Sequence, residues 1–101
     1  LVQLHPKTYL PSDIIAAVCQ TMKLSEQVIT ARTRQREAVK ARNLVMYLIK
    51  KYTDSSLGEI GKYVHRDHAT VAHSLNMIEA QMGYDAVLRQ EVSQIERHLG
   101  R

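Results

Sequence analysis

The stretch SLGEIGKYVHRDHATVAHSL, residues 56–75, decides the fold. It holds two amphipathic pieces parted only by Val64 to Arg66. The first keeps Leu57 and Ile60 on one side and sets Gly61 where a second helix must cross closely. The second opens with Asp67, a residue type that caps helices, and turns Val71 inward. A positioning helix, a tight turn and a helix aimed by its N-terminus form a helix-turn-helix, the unit that enters a DNA groove. The polar side of the second helix would offer His68, Ala69, Thr70 and His73. Similar layouts occur in helical proteins that bind nothing, so the flanking sequence has to weigh in.

Working outward, the spacing predicts four more helices. Upstream, a long helix spans about Glu37 to Tyr52. It buries Ala41, Leu44, Val45, Leu48, Ile49 and Tyr52, with Lys40, Arg42, Asn43, Lys50 and Lys51 outside or at its edges. Asp54 and Ser55 break it and can cap the next helix. Before it lies a polar basic loop, Thr30 to Arg36, and before that a short turn capped by Ser25. A first helix runs from an N-cap at Ser12 to about Lys23, with Cys19 on its apolar face. Residues 1–11 read as an extended arm with Pro6 and Pro11 as stops, and 12–101 as the helical domain. Downstream, Val71, Leu75, Ile78 and Met82 share a stripe that ends at Gly83. Leu88, Val92, Ile95 and Leu99 share another that ends at Gly100. The fold class is therefore all-α, a compact six-helix domain.

Composition agrees. Two Pro and four Gly in 101 residues favour long helices over a turn-rich β fold. With no Trp and no Phe, the core must be aliphatic, filled out by Tyr and Met. No apolar run reaches the ~20 residues that span a bilayer. A lone cysteine cannot close an internal disulfide, which suits a cytoplasmic setting. Between Thr30 and Arg66, nine basic residues face three acids, a net +6 that leaves −2 for the remainder. Such a stripe is the footprint of a phosphate-backbone partner, although solvated helix faces also carry basic runs.

At Arg66-Asp-His-Ala-Thr-Val71, and from Arg32 to Tyr47 including Lys40-Ala-Arg-Asn43, the chain resembles the C-terminal DNA-binding domain of the bacterial replication initiator DnaA. The likeness covers roughly Ser12 to Met82, the final helix agreeing in length and pattern only. It implies a Trp-repressor-like helix-turn-helix fold and double-stranded DNA as partner. It places Arg34 of the basic loop in a minor groove, and Asp67, His68 and Ala69 at base edges in the major groove. Phosphate contacts fall to Arg42, Asn43, Lys50, Arg66, Thr70 and His73, and to the helix start at Leu57 and Gly58. Two departures stand out. Ala69 replaces a threonine, and a family Gly-Gly pair before the arginine has shrunk to His65, which changes the aim of the second helix and the target it prefers.

No enzyme is visible. No glycine-rich phosphate loop forms among Gly58, Gly61, Gly83 and Gly100, so an ATPase module, if the protein has one, would lie upstream. His-Arg-Asp at 65–67 echoes a kinase loop without the other kinase motifs. His65, His68 and His73 flank a turn beside a basic residue, far from the one Cys, so neither a metal nor another cofactor is expected. Origin recognition at DnaA-box-like sites is the leading expectation. A DnaA-like transcriptional or mobile-element regulator is the alternative within DNA binding. A protein-interaction module on a helix-turn-helix scaffold is the rival from another class.

Overall fold

The computed structural model describes residues 9–100, and every regular element among them is a helix. In order they are α1 (Pro11–Met22), α2 (Gln27–Thr30), α3 (Arg36–Tyr52), α4 (Leu57–Val64), α5 (His68–Met82) and α6 (Ala86–His98). The all-α expectation holds. The expected arm falls outside the described residues except for its last three.

Helix α3 runs through the middle, packed by α1, α2, α4 and α5. Its sequence explains the position. Leu44, Val45, Leu48 and Ile49 have no exposed surface, and burying each contributes about 2 kcal/mol. Ala38 and Ala41 let neighbours approach closely. Lys40 holds Glu91 of α6 with its ammonium 2.8 Å from both carboxylate oxygens, and Lys51 holds Glu96 at 2.7 Å. The core is aliphatic as expected, with Met46 and Tyr52 as its larger fillers. Tyr9 meets Tyr52 edge-on, the ring centroids 5.4 Å apart. Cys19 is buried, and burial raises its thiol above the usual range, as suits a packing residue.

Four helix starts differ from expectation by one or two residues, among them that of α2, whose N-cap is Glu26 and not Ser25. Helix α1 begins at Pro11, not after Ser12. Proline at the first helical position needs no N–H partner, and the Asp13 carboxylate accepts from the Leu10 N–H at 3.2 Å. Helix α3 begins at Arg36, and the loop before it runs from Ala31 to Gln35. Helix α4 is capped by Ser56, not by Asp54 or Ser55. The Ser56 hydroxyl accepts from Glu59 N–H at 3.1 Å, and Glu59 accepts from Ser56 N–H at 2.7 Å. Asp67 and Asp85 cap α5 and α6 through the Thr70 and Leu88 N–H groups, at 2.8 and 3.0 Å.

Candidate DNA interface

The turn between α4 and α5 is held by one carbonyl. Gly61 O accepts the capping N–H of His65 and the N–H of Arg66, the latter at 3.0 Å. To make that turn His65 adopts left-handed geometry, φ 56 and ψ 48, a conformation that glycine takes readily and histidine only at a cost of about 1 kcal/mol. Gly61 was expected at a close helix crossing. The structure sharpens this: a Cβ at Gly61 would stand 2.2 Å from the backbone oxygen of Arg66 and 3.6 Å from a Val71 methyl. The turn itself is the nearer wall, and Val71 brings α5 in behind it.

From that turn α5 leaves with Asp67 as N-cap and Val71 fully buried, which fixes its rotation about its own axis. The same rotation leaves His68, Ala69, Thr70 and His73 exposed. Hydrogen bonds from Thr70 hold the Asp67 carboxyl below the ordinary carboxylate range. It is therefore charged near neutral pH, and a carboxylate has room to accept further bonds beside its cap.

The loop before α3 lies across from the turn. Arg32, Arg34, Arg42, His65 and Arg66 border one cleft of about 300 Å³. On its other side Arg34 borders a second cleft with Arg36, Lys40 and Asn43. The structure thus gathers Arg34 with the start of α3 and the turn, and leaves it exposed.

Arg42 does not lie where the sequence placed it. It was expected at the surface, gripping phosphate. Its residue is 6% exposed, and its guanidinium donates inward to the carbonyls of Ile29, Val28, Ala31 and Thr33. Burial, and secondarily the nearby Arg66 charge, lowers its pKa below the usual arginine value. Arg66 is half-buried and also bonds backbone, at Val64 O, His65 O and Ala31 O. The remaining phosphate candidates are spread out. Asn43 is half-buried on α3, and Lys50 is exposed about two turns further along it. Leu57 and Gly58 head α4, where first-turn amides lack an intrahelical acceptor. Lys40, an unassigned member of the basic stripe, is occupied by Glu91.

Sequence reasoning missed the Ala31 carbonyl, which takes bonds from both Arg42 and Arg66, and no side-chain pattern could have signalled it. The Ser56–Glu59 box was visible as Ser-x-x-Glu before an apolar run.

Residues 11–78 match the family model described as the bacterial dnaA protein helix-turn-helix. The chain belongs to that family. Among members of the DnaA family, it is 38% identical to the chromosomal replication initiator protein DnaA of Bacteroides thetaiotaomicron over 97 residues, 95% of this chain and 21% of that protein. To the protein of the same name from Deinococcus deserti it is 36% identical over 87 residues, 86% of this chain and 19% of the relative. With that of Herpetosiphon aurantiacus the figures are 37% over 94 residues, 92% and 20%. The chain spans about a fifth of the length of these DnaA relatives. Over 97 residues the DnaA likeness passes Met82 and takes in most of α6.

Proposed function

We propose that this chain reads double-stranded DNA by sequence, as the DNA-binding module of a DnaA-type replication initiator. The observation that carries it is the pairing of two exposed elements on one folded frame. Asp67 caps and aims α5, so that His68, Ala69 and Thr70 point outward from its first turn. Beside it, the 31–35 loop holds Arg34 exposed next to the same turn. A helix N-terminus with short polar side chains suits a major groove, and an arginine on a loop suits the negative potential of a narrow minor groove.

In this function Arg34, Asp67, His68 and Ala69 meet base edges. Asn43, Lys50, Leu57, Gly58, Arg66, Thr70 and His73 approach the backbone. The left-handed His65 and the methyl of Ala69 shift the target away from the standard DnaA box at the base that a threonine hydroxyl would reach. An ATPase domain elsewhere in the same protein, anchored by this module at an origin in the bacterial cytoplasm, is part of the same proposal. No described helix is long and apolar enough to cross a membrane.

Selection of preferred duplexes from a random pool at physiological salt tests it. The expected result is an asymmetric consensus related to a DnaA box. Enrichment of no sequence at all would leave only backbone attraction, and would favour a protein-interaction module on the same scaffold.

A further inference from the structure

Seven hydrogen bonds from two arginines converge where the basic loop meets the turn, and all seven go to backbone carbonyls. Arg42 of α3 supplies four and Arg66 of the turn supplies three. They share one acceptor. Ala31 O lies 3.0 Å from Arg42 Nη2 and 2.9 Å from Arg66 Nη2. A carbonyl oxygen has two lone pairs and can serve both. Ala31 is the root of the 31–35 loop, so three pieces of chain meet there: the end of α2, the middle of α3 and the turn that aims α5.

The choice of acceptor is informative. A carboxylate would bind a guanidinium more strongly than carbonyls do. The ion pairs among the described residues lie instead on the α6 side, at Lys40–Glu91 and Lys51–Glu96. Carbonyls hold the two guanidiniums in place and leave their charge unneutralised, beside an exposed arginine on the same cleft. For folding alone, two like charges held together are a cost. For a surface that meets phosphates, they keep the local field positive while the geometry stays fixed.

We propose that Arg42 and Arg66 are positioning residues, which lock the Arg34 loop to the turn ahead of α5 through their shared Ala31 carbonyl. Loop arginine and recognition helix then address the duplex at a fixed separation. This rests on the DNA-reading function proposed above, and the test separates the two.

In the DNA-free 101-residue chain, amide hydrogen exchange is followed by NMR at Ile29, Gln35 and Val39, the hydrogen-bonded N–H groups in and beside the 31–35 loop, for wild type, Arg66→Lys and Arg42→Lys. Lysine keeps the charge but offers no planar fork to several carbonyls. Either substitution should speed exchange across the loop about tenfold, the scale of one charge-assisted hydrogen bond, with α6 unchanged. Discrimination between the selected duplex and a random one is then compared for Arg34→Ala, Arg66→Lys and the double variant. The lock predicts non-additive losses: once Arg34 is gone, Arg66→Lys removes little more. Arg42→Lys serves in the same cycle if Arg66→Lys does not melt cooperatively. Unchanged loop exchange with additive losses would overturn the lock and leave Arg66 as a phosphate contact only. A wild type with no preferred duplex would instead overturn the DNA-reading function, while loop exchange would still decide whether the arginines hold the loop.

Discussion

The two ends of α5 are built to different tolerances. At its start, His65 sits in left-handed geometry, a Gly61 Cβ would meet Arg66 O at 2.2 Å, and Asp67 closes the first turn. At its end, Gly83 is right-handed at φ −73, and a Cβ there would lie 3.3 Å from Ala80 O. The chain then passes Tyr84, which is 78% exposed, on its way into α6. Strain and close approach are concentrated at the end that would face DNA. The other end is an ordinary reversal whose glycine answers to no special backbone angle. Aiming a helix takes a rigid base at one end only.

That contrast can be broken most forcefully with matched substitutions. Gly61→Ala drives a methyl into backbone and should cost about 3 kcal/mol in thermal or urea unfolding. Gly83→Ala adds a tight but not impossible contact and also removes backbone freedom from the unfolded chain, so its net effect should stay under about 1 kcal/mol. Equal losses at the two glycines would erase the distinction. Next in size, Ser56→Ala opens the capping box that starts the positioning helix and should cost about 1 kcal/mol. Smaller again, His65→Gly should raise stability by about 0.5 kcal/mol, since relief of the left-handed penalty outweighs the flexibility gained by the unfolded chain.

The smallest effect expected is one of pH. The Asp67 carboxyl is lowered by its bonds from Thr70, and Asp85 at the far end by those from Leu88 and Gln81. A depressed folded-state value stabilises above the ordinary carboxylate range and loses that contribution as pH falls through the depressed value. Asp67→Asn keeps a capping oxygen without the charge. Its stability deficit relative to wild type should be constant above about pH 5 and shrink as the solution is acidified toward pH 2. A deficit that grows on acidification would contradict the cause assigned to the shift.

Legibility in the sequence followed how local each feature is. Asp67 and Val71 could be read directly, because a cap and the buried position four residues later are fixed by helical spacing. The boundaries at Pro11 and Ser56 slipped because several neighbouring residues can cap, although the Ser-x-x-Glu spacing at Ser56 was there to be read. Helix α3 starts at Arg36 with no side-chain cap to mark it. Arg42 was misplaced for a different reason. A one-sided helix pattern puts it at the edge, but α3 is surrounded, and Ala38 and Met46 on the same row as Arg42 are buried as well. An arginine between two buried neighbours four residues either side has to find acceptors inside. Those acceptors are carbonyls of α2 and of the loop just before α3, 9 to 14 residues back along the chain, and no side-chain pattern encodes them. The exposure of Arg34, His68 and His73 agrees with the sequence reading, and their contacts with DNA belong to the proposal.

The most direct test of that proposal is a base-by-base substitution scan of the selected duplex, bound by wild type and by His68→Ala. If α5 reads bases, His68→Ala should cost roughly 1–3 kcal/mol on the preferred site and flatten preference at one or two positions. Random-duplex binding and the melting temperature should stay nearly unchanged, because His68 is exposed and caps nothing. A scan in which every position keeps its wild-type preference would show that the first turn of α5 does not read the sequence, and would contradict the function proposed for this chain.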